Sequence, residues 1–168
     1  MDSIPQFLIA APTSGSGKTT VSRGLMALFV KKGLKVQPFK CGPDYIDTKY
    51  HEAVCGRPSI NLDTFMASPE HVRSLYARYS ADADVAVVEG MMGMYDGYDR
   101  DRGSSAEVAR LLGIPVVLVV DAKSAAYPWL LCCRGSSISV RIYVLRELSS
   151  IVSAHPTTTG CCRRSVKT

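Results

Sequence analysis

A run of small, hydroxylated and basic residues near the start of the chain has the spacing of a phosphate-binding loop. It comprises Ser14, Gly15, Ser16, Gly17, Lys18, Thr19 and Thr20. In such a loop the glycines let backbone N–H groups face phosphate oxygens, a lysine reaches the β and γ oxygens, and a hydroxyl binds Mg²⁺. The two glycines, Lys18 and Thr19 fill these places, whereas Pro12 replaces the first glycine of the usual pattern. The sequence therefore predicts a nucleotide site rather than a plain Gly/Ser turn.

Two acidic segments follow predicted strands farther along the chain. Residues 38–47 read PFKCGPDYID, and residues 89–97 read EGMMGMYDG. Because the carboxyl ends of the strands carry the site in a parallel α/β sheet, both segments should face the nucleotide phosphates. Lys40 could neutralise a substrate or a transferring phosphoryl group there. The alternative is an ordinary solvated lysine at the end of a strand.

Carboxylates in these segments could bind a metal ion together with the loop hydroxyl. Mg²⁺ prefers oxygen ligands and usually keeps phosphate oxygens and waters in its shell. Thr19, Asp47 and Glu89 are the predicted metal ligands. The alternative is that Asp44 and Asp47 cap a helix entering at Tyr45, and that Glu89 ends a strand at the surface.

The other histidine, tryptophan and methionine side chains are not predicted to form a functional site. His51 and His71 are expected on helix surfaces, with a functional role less favoured for each. Trp129 and the three methionines of segment 89–97 are expected to pack.

Regular elements must position these segments. Continuous apolar runs or short extended stretches predict strands at residues 7–11, 35–40, 84–89 and 115–121. Helical spacing and stop signals predict helices at residues 19–32, from Ser68-Pro69 onward, and at 105–112. Strands that alternate with helices indicate an α/β fold of the P-loop NTPase type, with a mainly parallel sheet and helices on both faces.

Composition limits the classes of function. The chain has 168 residues, 46% hydrophobic and 21% charged, which is typical of one globular domain. Residues 1–126 carry 14 basic and 14 acidic side chains, so the formal charge of +5 lies entirely in the tail, with six basic against one acidic. No apolar run is long enough to span a bilayer. We therefore expect a cytoplasmic protein that binds neither nucleic acid nor membrane.

Four patterns together resemble the amino-terminal domain of the cobyrinic acid a,c-diamide synthases. They are SGSGKTT at residues 14–20, PFKxGPDYID at 38–47 with His51 after it, NLD at 61–63, and EGxMGxxDG at 89–97. The resemblance covers residues 7–127. It implies an ATP-dependent carbon–nitrogen ligase of cobalamin biosynthesis, which phosphorylates the a and c carboxylates of a corrin and then amidates them. In that family the ammonia comes from glutamine.

The resemblance also implies roles for matching residues. ATP and Mg²⁺ are the implied cofactors, held by residues 14–20. The implied catalytic residues are Lys18, Lys40, Asp44, Asp47 and Glu89. Asp44, Tyr45 and Ile46 would bind the corrinoid substrate or steer ammonia, and a homodimer is left open.

Related functions remain as alternatives. They include cobyric acid synthase, dethiobiotin synthetase and an a,c-diamide synthase acting on a nickel tetrapyrrole. From a different class, a partitioning ATPase would work by binding partners. Those ATPases carry a signature lysine where this chain has Thr13, which argues against that class.

The tail departs from the family pattern after Tyr127. Basic residues and the adjacent pairs Cys132-Cys133 and Cys161-Cys162 accumulate there, without the CxxC spacing of a zinc or redox site. Reading the back-translated tail in a shifted frame restores apolar runs. We therefore expect residues 1–127 to be an incomplete ATP-binding domain and residues 128–168 an irregular, out-of-frame tail. The glutaminase domain of the family is not found in this sequence, and activity of the chain alone is left open.

Overall fold

The computed structural model describes residues 4–121 and 140–145. Its elements in chain order are β1 Gln6–Ala10, α1 Lys18–Lys31, β2 Val36–Cys41, α2 Asp47–Cys55, β3 Ile60–Leu62, α3 Pro69–Ser80, β4 Val85–Glu89, α4 Ser105–Leu112, β5 Val116–Asp121 and β6 Val140–Leu145. They form one parallel sheet in the order β3-β2-β4-β1-β5-β6. The predicted α/β class is confirmed.

Helices cover both faces of the sheet. Successive strand residues point to opposite faces, so the apolar residues of one strand pack into two separate cores. Leu8 belongs to a core that includes residues of α3 and α4, whereas Ile9 belongs to a second core packed by α1. The central strand β4 is buried along its whole length. This burial on both faces is what its uninterrupted apolar sequence predicts.

The predicted elements lie within one or two residues of the observed ones. The capping prediction for α3 is confirmed, since Ser68 Oγ accepts from the backbone N–H of His71 and Pro69 occupies the first helical position. Three elements, α2, β3 and β6, were not predicted as such. β3 has only three residues, too few for a periodic signal.

Within the tail, Val140–Leu145 forms strand β6, parallel to β5 with Val116 paired to Val140. The sequence VRIYVL is rich in β-branched and aromatic residues, which favour extended backbone. The predicted irregular tail therefore contains one regular segment. Its other residues, including Trp129, lie outside the described part of the chain. Among the described residues, no helix combines the length and apolarity that a bilayer crossing requires.

Candidate functional site

The predicted phosphate loop lies between β1 and α1, at the carboxyl edge of the sheet. Gly15 and Gly17 adopt positive φ angles of 79° and 84°, which side-chain-bearing residues rarely adopt. The Ser16 hydroxyl donates to the Thr13 carbonyl at 2.9 Å and braces the turn. No side chain of the described residues caps the start of α1 at Gly17, and no acidic residue lies in its first turn. Its N–H groups and positive dipole end are therefore suited to an anion.

Lys18 is buried at the first position of α1 and contacts the second acidic segment. Its Nζ donates to the backbone carbonyl of Met92 at 3.0 Å. Burial lowers the pKa of Lys18, and the nearby charge of Lys40 lowers it further. Met94 is buried as predicted, but Met92 is 46% exposed and does not pack into the core. The lysine thus joins the phosphate loop to segment 89–97.

The other loop residues differ in exposure. Ser14, Gly15 and Thr20 are exposed, Ser16 is buried, and Thr19 is partly buried. Thr19 Oγ1 points inward and donates to Glu89 Oε1 at 2.6 Å. The hydroxyl predicted to bind the metal therefore lies beside a predicted carboxylate ligand.

Glu89 is the centre of the site. It ends β4 and is completely buried, so its predicted alternative as a surface residue is wrong. Its Oε1 accepts from Thr19 and, at 3.1 Å, from Lys40 Nζ, and its Oε2 lies 2.8 Å from His51 Nε2. Burial alone would raise the pKa of Glu89. The hydrogen bonds from His51 and Thr19, with the charge of Lys40, instead lower it to about 2. The carboxylate is ionised at neutral pH.

Lys40, near the end of β2, bridges the acidic residues. Its Nζ lies 2.6 Å from Asp47 Oδ2 and 3.6 Å from Asp44 Oδ2, besides its bond to Glu89. The side chain is only 3% exposed, so the alternative of a solvated lysine is wrong. Burial would lower the pKa of Lys40, but the charges of Glu89 and Asp47 outweigh it and raise the pKa. The predicted catalytic lysine is a buried cation among carboxylates.

The start of α2 combines the two interpretations of the first acidic segment. Asp44 Oδ1 accepts from the backbone N–H groups of Ile46 at 2.9 Å and Asp47 at 3.0 Å, as a capping residue does. Burial opposes ionisation and is the largest single influence, but these bonds and Lys40 together outweigh it and lower the pKa of Asp44. Tyr45 and Ile46, predicted to bind substrate, are 77% and 70% exposed. Capping and proximity to the site therefore coexist here.

The sequence prediction for His51 is wrong. It was expected on a helix surface, yet it is completely buried and bonded to Glu89 and to Ser59 Oγ. His51 follows Asp47 by four residues, which places both on one face of α2. That spacing was a usable signal, but it required α2 itself to be predicted. His71 is exposed, as expected.

The donor set fits Mg²⁺ bound together with a nucleotide. No three His, Cys, Asp or Glu side chains among the described residues form a metal cluster. Mg²⁺ at phosphate sites needs only one or two carboxylates beside phosphate oxygens and waters. Thr19 and Glu89, bonded to each other beside the loop, supply such oxygens. Asp47 is engaged by Lys40 in this structure.

Comparison with known proteins identifies the domain. Residues 7–132 match the CobQ/CobB/MinD/ParA nucleotide binding domain. The chain belongs to this family. The phosphate loop, α1 and the Glu89 centre all lie within the matched residues.

Several curated relatives are similar at about half of the aligned positions. The cobyrinate a,c-diamide synthase of Caldanaerobacter subterraneus subsp. tengcongensis is 53% identical over 121 residues, covering 71% of this chain and 26% of the relative. That of Salmonella typhimurium is 50% identical over 122 residues, with 71% and 27% covered. The hydrogenobyrinate a,c-diamide synthase of Streptomyces coelicolor is 53% identical over 123 residues, with 72% and 25% covered. The match therefore spans about a quarter of each relative, and the resemblance read from the sequence is confirmed.

Solved structures of low identity support the fold alone. The signal recognition particle receptor FtsY from Elizabethkingia anophelis superposes with a TM-score of 0.60 at 17% identity, covering 84% of this chain and 51% of that one. A duf1611 family protein from Anabaena variabilis gives a TM-score of 0.58 at 15% identity, with 88% and 48% covered.

Proposed function

We propose that this chain is the ATP-binding, substrate-activating part of a corrinoid a,c-diamide synthase. The reaction is the ATP-dependent amidation of the a and c carboxylates of cobyrinic acid in cobalamin biosynthesis. A substrate carboxylate oxygen attacks the γ-phosphorus of ATP and ADP leaves. Ammonia then attacks the acyl carbon, loses a proton, and phosphate leaves. Glutamine supplies the ammonia in the whole protein, and the cytoplasm is the proposed compartment.

One observation carries the proposal: three segments with family patterns converge on a single buried carboxylate. Thr19 of the phosphate loop, Lys40 of the first acidic segment and Glu89 of the second are directly bonded. Phosphoryl transfer depends mainly on positioning and on stabilisation of charge. A plain nucleotide switch has no evident need for a lysine held among three carboxylates, whereas a ligase must place a carboxylate substrate beside the γ-phosphate.

Each residue then has a defined task. Lys18 and the N–H groups at the start of α1 hold the β and γ phosphates. Thr19 and Glu89, with Asp47 as a further candidate, would hold Mg²⁺, which would shield the phosphate charge. Lys40 offers a positive charge near the phosphoryl group. Asp44, Tyr45 and Ile46 lie just before α2 and would contact the corrinoid. Tyr45 and Ile46 are largely exposed and therefore accessible to it.

The test is ATP turnover by the purified chain with Mg²⁺ and ammonia, with each candidate substrate added in turn. The candidate ligases are distinguished by the substrate that stimulates turnover. The substrates tested are cobyrinic acid, hydrogenobyrinic acid, the substrate of cobyric acid synthase, a nickel tetrapyrrole and the substrate of dethiobiotin synthetase. Hydrogenobyrinic acid is included because one relative, 53% identical, is named for it. A corrinoid should stimulate turnover. Stimulation by DNA or anionic vesicles, and not by a corrinoid, would instead favour a partitioning ATPase.

We also propose that the tail after Tyr127 is translated out of frame. The charge and cysteine content change abruptly there, and the alignments with curated relatives cover only 71–73% of the chain. Re-sequencing the gene tests this. An intact codon series for residues 128–168 in the genome of an active homologue would refute it.

A further inference from the structure

One buried polar contact of the site has no role in the proposed reaction. His51 is completely buried in α2, and each ring nitrogen has a partner. Nε2 lies 2.8 Å from Glu89 Oε2, and Nδ1 lies 3.0 Å from Ser59 Oγ. Glu89 is buried as well, so this is a carboxylate–imidazole pair without solvent.

We propose that His51 is a positioning residue that holds one oxygen of Glu89, so that the other oxygen is directed at Thr19 and Lys40. This inference rests on the proposed function, because it assigns the task that Glu89 performs in nucleotide binding. His51 contacts neither the phosphate loop nor Lys40 in any described bond, and acts through Glu89.

The ionised Glu89 carboxylate fixes the direction of its bond with His51. An ionised carboxylate only accepts, so Nε2 carries the proton that it donates to Oε2. The Ser59 hydroxyl pairs with Nδ1, because a hydroxyl can both donate and accept a hydrogen bond. Ser59 thereby holds the ring in the orientation that serves Glu89. Partners of this kind are known to orient metal-binding side chains.

The helix gives the contact a second consequence. Asp47 and His51 lie four residues apart on one face of α2. Asp47 contacts Lys40 of β2, and His51 contacts Glu89 of β4. Two bonds from one helix therefore fix the adjacent ends of two strands. Loss of the His51 bond would free the Glu89 carboxylate to rotate while leaving the Asp47 bond in place.

Two substitutions separate positioning from packing. The amide nitrogen of Gln in His51→Gln can reach the place of Nε2, so it can still donate to Glu89. The shorter Asn in His51→Asn reaches only the place of Nδ1, so it keeps a partner for Ser59 and loses Glu89. His71→Gln is the matched control, since His71 is exposed on α3.

The measurement is the dissociation constant of a fluorescent ATP analogue, with Mg²⁺ and with EDTA, for the whole chain. We expect Mg²⁺ to tighten binding by the wild type. The tightening should fall by about tenfold in His51→Asn, the effect of losing one hydrogen bond to a charged group. It should be retained in His51→Gln and in His71→Gln. Urea unfolding of the same variants reports any loss of stability separately.

The outcomes distinguish this inference from the proposed function. Wild-type Mg²⁺ dependence in His51→Asn overturns the positioning role, even if stability falls. An equal loss in His51→Asn and His51→Gln overturns it too, because packing alone would explain that result. If His51→Asn does not fold, Ser59→Ala replaces it, with an expected loss of roughly threefold; no loss overturns the inference. A wild type that does not bind the analogue overturns the proposed function itself.

Discussion

Removal of the Lys40 charge is the most demanding test of the ion pairs that hold Lys40 among the site carboxylates. Lys40→Met keeps most of the side-chain volume and removes the ammonium group. Nζ lies 3.1 Å from Glu89 Oε1 and 2.6 Å from Asp47 Oδ2, and Lys40 is only 3% exposed. The variant therefore leaves three carboxylates, those of Asp44, Asp47 and Glu89, without their shared cation, and Glu89 is fully buried.

The expected loss follows from the geometry. At 3.1 Å and an effective dielectric constant of about 20, the Coulomb attraction between Lys40 and Glu89 is about 5 kcal/mol. Breaking a buried pair by removing one partner typically costs about 3–5 kcal/mol. Glu89 keeps its hydrogen bonds to Thr19 and His51, so we expect about 3 kcal/mol, at the lower end of that range.

Urea unfolding of the variants gives the free energies directly. Lys40→Met should lose about 3 kcal/mol, and the double variant Lys40→Met/Glu89→Gln should recover part of it, since the uncompensated buried charge is gone. Lys49→Met is the control, because Lys49 is 78% exposed and its surface pair with Glu52 should contribute less than about 1 kcal/mol. A loss below about 1 kcal/mol in Lys40→Met, or no recovery in the double variant, would refute the reasoning.

Three further variants test other parts of the structure. Folding lowers the pKa of Glu89 from 4.5 to about 2, so its ionised form stabilises the fold above pH 4.5 and this stabilisation is lost as the pH falls toward 2. Urea titrations should therefore show the stability difference between wild type and Glu89→Gln shrinking by about 3 kcal/mol between pH 4.5 and pH 2. Gly97→Ala places a Cβ 2.1 Å from the Arg102 carbonyl oxygen and should lower the free energy of unfolding by about 1–3 kcal/mol. An unchanged urea midpoint would contradict this close approach of Gly97 to the Arg102 backbone. Ser104→Ala removes the acceptor for the Glu107 N–H at the start of α4 and should lower stability by about 1 kcal/mol by the same assay, and a loss of zero would contradict the cap.

Local patterns in the sequence predicted most of the elements and the core of the site. β1 and α1 follow from an apolar run, glycines and helical spacing, and these local signals also locate Thr19. Glu89 could be predicted because it ends a buried apolar strand, and such ends meet at one edge of a parallel sheet. The burial of Lys40 could not, since a lone lysine at the end of a strand has the same local signal whether solvated or paired.

Non-local pairing accounts for what was missed. The strand order β3-β2-β4-β1-β5-β6 depends on contacts between segments far apart in the chain, such as Lys40 opposite Glu89. The role of His51 depends on how α2 packs across β2 and β4, and α2 itself has a weak periodic pattern. Ile60–Leu62 forms a strand chiefly because β2 is available beside it. Tertiary context decides such short segments.

The central claim, that the loop at Lys18 binds ATP, is tested most directly by the affinity of the purified chain for Mg²⁺·ATP. Calorimetric titration should compare the wild type with Lys18→Ala and with Lys49→Ala, whose lysine is exposed on α2. Loss of a charged hydrogen-bond donor to phosphate should weaken binding by about tenfold or more in Lys18→Ala, with Lys49→Ala close to the wild type. Equal affinities for the wild type and Lys18→Ala would contradict the account.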